Sequence, residues 1–331
     1  MSAMATLLED GGAAASCEEF FRSPQFLEAE GVTHSLCIKS GATELVAPLI
    51  VREIDTEADA AIGADQKPYD AISPYGYPGI VEARVDPPIE GSTLASRLDP
   101  STIDFSATGL ASIFLRHTLT EPPLGATSER NVVQIADPAL PPKSRPSDRN
   151  QINKNLRRGY ELQLLPGTET TAAQRAGFLA AYEQTMRRTG AAERYFFGAA
   201  YFDRILESPL TWLALAHAPA GDVAAASIAA RSDGYLHYYL SGSSDSHLGD
   251  SPMKNVLARL IEFSGELQLP LNLGGGLSPG DALEEFKRGF ANRTLTWRTS
   301  EIVCDPDRYA ELSGGRDAGG FFPAYRAPRS T

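Results

Sequence analysis

The 331-residue sequence predicts an α/β protein with a mixed sheet, divided into two domains, and three observations lead there. Beyond residue 160, segments of strand and helix length follow the order strand, helix, helix, three strands, helix, strand, helix, strand. A proline-rich stretch, residues 137–148 (DPALPPKSRPSD), marks a linker. Charge is also split there: residues 1–142 carry 8 basic and 21 acidic side chains, and residues 143–331 carry 22 and 21. The length suits two domains, set at 17–142 and 143–312, with a tail at 313–331.

Taken in order, residues 1–16 are small, acidic and glycine-rich, and are expected to fray. A helix is expected from Phe20 to about Glu30, closed by Gly31. Residues 34–39 and 44–53 form a strand pair around Ser40-Gly41, with Leu36, Ile38, Leu45, Leu49 and Val51 at period-two positions. Residues 55–66 are an acidic loop or short helix, and 90–98 a helix. Between them SPYGYPG (73–79) is rigid in φ and displays Tyr75 and Tyr77, either as a packed loop or as a cleft wall, before a strand at 80–85. Residues 110–116 and 131–136 are strands joined through a proline-rich connection.

The second half opens with a basic helix, about 147–158, on which Arg149, Lys154 and Arg157 share a broad face with Asn150 and Asn153. A solvated face and a phosphate contact are both open readings for it. A strand (160–165) and two helices (171–189, 199–206) precede strands at 210–217, 223–231 and 235–241. Tyr235, His237 and Tyr239 fall on one face of the last. His237 is a satisfied sheet histidine, and the other four histidines are isolated. A helix at 252–266, a strand at 294–303 and a tail whose Phe321, Phe322 and Tyr325 dock back complete the chain.

Residues 271–290 (LNLGGGLSPGDALEEFKRGF) read as strand, glycine turn, then helix, with Ser278 as N-cap and Pro279 at the first helical position. Three consecutive glycines mean a positive φ or a close backbone approach. Leu283, Phe286, Lys287 and Phe290 fall on one face, so Lys287 must snorkel, pair or point into a pocket. The stretch has neither GxxxxGK[ST] nor GxGxxG, which excludes a nucleotide P-loop and a dinucleotide fold.

No apolar run reaches the length of a membrane span and no signal-peptide pattern is visible, so a cytoplasmic protein is expected. Cys17, Cys37 and Cys304 have no metal spacing and are expected in the core. The acidic first half argues against a protein that coats nucleic acid, and no DNA partner is expected.

A three-stranded meander followed by helix, strand, helix, strand is the order of a GNAT-type acyltransferase, and the first half fits a degraded copy. SPYGYPG, the basic helix ahead of the second domain and LNLGGG…DALEEFKRGF together resemble the Fem family of peptidyltransferases, over roughly residues 20–309. That resemblance implies two tandem GNAT-like domains and transfer of an amino acid from aminoacyl-tRNA to an amine on a peptide. The acceptor would be a cell-wall precursor, as for FemX- and MurM-like enzymes, or a peptidyl nucleoside or nucleotide of a natural-product pathway. Without a long coiled-coil insertion the chain is similar to the compact FemX type, a monomer with no cofactor beyond aminoacyl-tRNA as co-substrate. The resemblance also implies roles. Lys287 stabilises the oxyanion, and Phe286 shapes and dries the site. Gly274, Gly275 and Gly276 leave bare backbone for substrate, and Tyr75 and Tyr77 line the acceptor cleft. Arg149, Lys154 and Arg157 hold phosphate. No general base stands out; the leaving ribose hydroxyl takes the proton, with Tyr239 or Asp70 as fallback.

Two rivals remain. An acyl-CoA N-acyltransferase on this fold shows a Q/R-x-x-G-x-G/A turn, whereas SGSSDSHLGDSPMKNVL stands in that place and carries Asp245 and Asp250. The other is a non-catalytic binding protein on the same scaffold.

Overall fold

The computed structural model describes residues 3–55, 67–83, 98–120, 122–125, 127–316 and 318–327. Fourteen strands and seven α-helices follow in chain order among them. They are β1 (Ala3–Leu8), α1 (Pro24–Ala29), β2 (His34–Ser40), β3 (Thr43–Glu53), β4 (Tyr69–Ile72), β5 (Val81–Glu82), β6 (Ile103–Asp104), β7 (Leu110–Arg116) and β8 (Ser128–Ala136). Then come α2 (Pro146–Arg157), β9 (Glu161–Pro166), α3 (Ala172–Arg188), α4 (Ala199–Leu206), β10 (Thr211–His217), β11 (Val223–Ser232) and β12 (Tyr235–Ser243). The chain ends with α5 (Met253–Leu267), β13 (Leu271–Gly274), α6 (Ala282–Arg288), β14 (Arg293–Val303) and α7 (Pro306–Ser313). The helix expected at 90–98 and the loop at 55–66 lie almost wholly outside the described residues.

There are two compact units, both discontinuous in sequence. The first comprises Met1–Ala15, Glu30–Arg130 and Trp297–Thr331, and the second Ser16–Ala29 and Asn131–Thr296. The proline-rich stretch at 137–148 therefore lies inside the second unit.

In the first unit β1, β2, β3 and β4 are consecutive antiparallel neighbours, β4 pairs parallel with β7, and β7 pairs antiparallel with β14. In the second, β9, β10, β11 and β12 are antiparallel neighbours, β12 pairs parallel with β13, and β13 pairs antiparallel with β8. The two sheets have one topology, and the first half is indeed a second copy of the unit. In each unit the strand next to the parallel pair is remote in sequence, β14 in one and β8 in the other.

The first core gathers Leu36, Ile38, Leu45, Leu49, Ile113 and Leu115, the inward positions of β2, β3 and β7. The segment expected to fray is instead β1, in register with β2 from Met4–Lys39 to Leu8–Ser35. Its inward residues Ala3 and Ala5 are small, so apolar alternation is weak there although the ladder is complete. The expected helix from Phe20 breaks into a single turn, Phe20–Arg22, and α1, because Pro24 forces Ser23 into an extended conformation (ψ 147°). These residues belong to the second unit. The Phe21 ring meets His237 edge-on, with ring centroids 4.9 Å apart, and Arg22 pairs with Asp233 at 3.0 Å. Asp233 and Gly234 both have positive φ, +50° and +76°, and form the two-residue turn between β11 and β12.

Two of the three tail aromatics dock as expected, the Tyr325 hydroxyl bonding to Ser112 at 2.7 Å and Phe322 stacking on Tyr309 with ring centroids 5.8 Å apart, whereas Phe321 is exposed. Of the cysteines expected in the core, Cys37 is buried but Cys17 is exposed. No helix among the described residues is long and apolar enough to cross a membrane.

Candidate active site

The second sheet is open at one place. β12 and β13 pair only through Leu236–Leu271 and His237–Asn272, although β12 continues to Ser243. Asn272 ends the pairing. It is 1% exposed, its Oδ1 accepts from Gly274 N at 2.8 Å, and its Nδ2 meets His237 Nδ1 at 3.1 Å. His237 Nε2 lies 3.2 Å from Ser232 O, so these partners fix the Nε2–H tautomer. Burial pushes its pKa down to about 3. It is a satisfied sheet histidine, as the sequence predicts.

Each of the three glycines after this point has its own reason. Gly274 has φ +74°, and a Cβ on it would lie 3.1 Å from Lys287 Nζ. A Cβ on Gly275 would lie 2.5 Å from Asn131 Nδ2, and Asn131 Nδ2 donates to Gly276 O at 2.9 Å. A Cβ on Gly276 would strike the Asp281 carboxylate. The protein itself therefore occupies the space beside Gly275 and Gly276, where bare backbone for substrate was expected.

Asp281, and not Ser278, is the N-cap of α6. Its Oδ1 accepts from Glu284 N at 2.7 Å, and its Oδ2 accepts from Leu277 N at 2.6 Å and Ser278 N at 3.0 Å. One carboxylate thus satisfies three amides, a cap worth about 1 kcal/mol or more. These bonds hold its pKa below the ordinary aspartate value. Glu284 accepts from Gly280 N at 2.7 Å and pairs with Arg288. Of the face expected to be apolar, Leu283, in the first turn, is exposed, while Lys287 and Phe290 are buried, and Glu284 is buried as well.

Lys287 is 8% exposed and donates to Gly275 O at 2.6 Å. Burial brings its pKa down from the usual lysine range to about 8, and the Asp281 charge acts against that fall. The ammonium is thus held at the glycine turn by one backbone carbonyl, with no carboxylate within ion-pair distance among the described residues. Phe286 packs at the edge of the core formed by Leu271, Leu273 and Phe290, and its ring lies 5.7 Å from that of Phe290.

The basic helix, α2, joins this place. Arg145 donates to Glu285 O at 3.1 Å and pairs with the Glu285 carboxylate, and Asp148 pairs with Lys254 at 2.8 Å. Asn155, fully buried, donates to Asp250 O at 2.8 Å and Asn255 Oδ1 at 2.7 Å, pinning α2 to the start of α5. Arg149, Asn150, Asn153, Lys154 and Arg157 are all exposed. Among the described residues no carboxylate lies within ion-pair distance of Arg149, Lys154 or Arg157. The fold thus brings Gly274–Gly276, Phe286, Lys287 and the basic helix together in one unit.

Other expected residues lie elsewhere. The Tyr239 hydroxyl bonds to Tyr201 at 2.8 Å, and its ring faces Phe20, Phe21 and Phe26. Tyr75 and Tyr77 are half-buried in the first unit, where Tyr75 N donates to Glu30 at 2.8 Å and Tyr77 meets Trp297 edge-on at 5.4 Å. Asp70 is fully buried between Arg52 (2.9 Å) and Arg326 (2.5 Å). It anchors the tail, which removes it as a general base. Nor is every histidine isolated. His247 Nε2 lies 2.6 Å from Asp222, and Tyr160 bridges from His247 Nδ1 (3.3 Å) to Asp250 (2.8 Å). Nothing in local spacing gives that network, whose members are up to 90 residues apart.

At the start of α5, Pro252 has no N–H, and the amides of Lys254 and Asn255 already donate to Ser251 O (3.1 Å) and Pro252 O (3.0 Å). Asp250 and Asp245 stand beside it, paired with Arg158 and Arg188. A helix start so committed is poorly equipped for a pyrophosphate.

In the second unit a four-stranded antiparallel run, a parallel partner that separates after two residue pairs and a helix beyond that partner define a GNAT-type acyltransferase fold, and the first unit repeats its order of strand pairing. Residues 143–288 match the domain family described as "Acetyltransferase (GNAT) domain". The solved structure of FemX is similar, with 10% identity over 88% of this chain and 93% of that chain and a TM-score of 0.57. L-PGS from Bacillus licheniformis is 14% identical over 87% of this chain and 93% of that one, with a TM-score of 0.51. At such identities the likeness is one of fold. No curated protein sequence matches the chain significantly. Among the described residues no group of three His, Cys, Asp or Glu side chains is arranged to hold a metal ion.

Proposed function

We propose that the protein transfers an amino acid from aminoacyl-tRNA to an amino group of a peptide acceptor, forming a peptide bond. The observation that carries this reading is the buried Lys287 ammonium at the Gly274–Gly276 turn, 2.6 Å from Gly275 O. In this chemistry the acceptor amine attacks the ester carbonyl carbon. A C–N bond forms, the carbonyl oxygen becomes an oxyanion, and Lys287 turns a donor toward it in a water-poor setting. The C–O bond to the ribose then breaks, and the amine's proton passes to the departing ribose hydroxyl. Phe286 keeps water from the ester. The exposed Arg149, Lys154 and Arg157 take phosphates of the tRNA end or of the acceptor.

The committed amides at the start of α5 and the acids beside it favour tRNA over coenzyme A as the acyl carrier. The second reading, an acyl-CoA N-acyltransferase, draws on the family description matched by residues 143–288. The intact chain, offered a mixed pool of charged tRNA and separately a panel of acyl-CoAs, distinguishes them. Peptidoglycan precursors and peptidyl nucleosides serve as acceptors, with products read by mass. An aminoacyl mass gained only with charged tRNA and lost on RNase treatment is expected. An acyl mass gained only from CoA would replace this reading with the second.

A further inference from the structure

One buried polar group at the Lys287 turn takes no part in the chemistry of the ester carbonyl. Gln134, on β8, is 1% exposed, and its Oε1 has no hydrogen-bond donor within reach among the described residues. In the β13–β8 ladder it stands directly opposite Gly274. Strand alternation puts it on the same face as Ala136. Ala136 packs with Leu271, Leu273 and Phe290, and Phe286 lies at the edge of that cluster. Because the residue across from Gln134 is a glycine, no side chain there shields its carboxamide. The group that approaches Gly274 is instead the Lys287 ammonium.

A buried acceptor without a donor costs more than an ordinary hydrogen bond returns, and native proteins keep few of them. An apolar side chain of the same length, methionine, would fill the volume without that cost. Other buried atoms among the described residues share that state, but Gln134 Oε1 is the one opposite Gly274, which the Lys287 ammonium approaches, and a ligand that carries a donor would satisfy it there. Lys287 supplies only donors and so can serve a carbonyl oxygen but not an amine. An aminoacyl ester brings both, a carbonyl and an α-amino group with N–H donors. A plain acyl group brings the carbonyl alone.

We infer that Gln134 is a specificity residue whose carboxamide oxygen accepts a hydrogen bond from the α-amino group of the aminoacyl moiety held at the Lys287 turn. The inference rests on the aminoacyl-transfer reading and deepens it. Lys287, which approaches Gly274, and Gln134, opposite Gly274 in the ladder, divide the two polar groups of the ester between them. A neutral oxygen suits this place, since a carboxylate would pair with Lys287 and withdraw it from the carbonyl. Simple acyl groups leave the oxygen buried and unsatisfied, and this discriminates against them.

The test uses stable donors: 3′-aminoacylamino-3′-deoxyadenosines with a small, a polar and a basic side chain. Each is paired with its des-amino counterpart, which differs only by loss of the α-amino group. Calorimetric binding to the intact wild-type chain is expected to favour at least one aminoacyl compound by tenfold or more. Gln134→Met is expected to abolish that preference by weakening the aminoacyl compound alone, with Tm unchanged or raised. Gln134→Leu, likewise without an acceptor, is expected to do the same. A preference equal in wild type and Gln134→Met, or absent from wild type, overturns the inference; so does its survival in Gln134→Leu should Gln134→Met fail to fold. Transfer from charged tRNA is measured on the same samples. No transfer beside an intact preference removes the tRNA reading while leaving Gln134 as the reader of the amine.

Discussion

The two units share one strand order, and they treat the charged groups buried near the parallel strand pair in opposite ways. In the first unit Asp70, on β4, is fully buried and held between Arg52 and Arg326. Beside it the Tyr325 hydroxyl is bonded to Ser112. Charge there is paired off, and the pairing fastens the C-terminal tail. In the second unit Lys287 has a single carbonyl partner, and the acceptor oxygen of Gln134 has no donor within reach among the described residues. One topology thus yields a copy whose buried charge is paired off and a copy whose buried ammonium has a single carbonyl partner. Fold alone does not say which copy carries chemistry; we place it in the second on the state of its buried charge.

The largest expected effect separates the copies directly. Asp70→Asn leaves two guanidinium groups short of their carboxylate and is expected to lower stability by about 3 kcal/mol, the low end for a broken buried pair because both arginines are partly exposed. Chemical unfolding of the intact chain measures this, and the rate constant for amide formation is expected to stay within about threefold of wild type.

The glycine turn sharpens the contrast. Gly276→Ala drives a methyl group into the Asp281 carboxylate and is expected to cost about 1 to 3 kcal/mol by disturbing the α6 cap. Gly274→Ala, at φ +74° and beside Lys287 Nζ, is expected to cost about 1 kcal/mol in stability and more in turnover. Equal losses of stability and rate in both variants would mean that the turn has no special relation to Lys287.

Lys287 also ties stability and rate to pH in opposite senses. Burial lowers its folded-state pKa to about 8. Between that value and the ordinary lysine range the unfolded chain binds the extra proton, so this group makes stability rise with pH, by about 3 kcal/mol in total. Below pH 8 the penalty of the buried charge is fully present. If the proposed role of the ammonium holds, the rate falls as pH rises through about 8, and Lys287→Met is expected to remove both trends. The smallest effects belong to α2. Single replacement of Arg149, Lys154 or Arg157 by Ala is expected to raise KM for charged tRNA severalfold at fixed kcat. The salt slope of binding is expected to shrink by about one for each phosphate that the variant no longer neutralises.

Much of the second unit is legible in the sequence because its signals are local. Thr171 and Gln174 form a reciprocal cap on α3, the Asp233-Gly234 turn fixes the β11–β12 hairpin, and Lys287 follows the triple glycine at helical spacing. What escapes is non-local. Strand β1 escapes because its inward residues are alanines. The clasp of Asp70 by Arg326 joins positions 256 residues apart. Gln134 sits in the apolar run VVQIA, and that lone polar residue is its only trace until β13 lies opposite it.

The decisive comparison is the single-turnover rate of peptide-bond formation from charged tRNA by Lys287→Ala, set against that of Asp70→Asn at equal fractions folded. A loss of about 10²- to 10³-fold for Lys287→Ala, with Tm within a few degrees of wild type, is the expected result, beside a near-normal rate for Asp70→Asn. A near-normal rate in Lys287→Ala would contradict the assignment of the chemistry to the second unit's glycine turn.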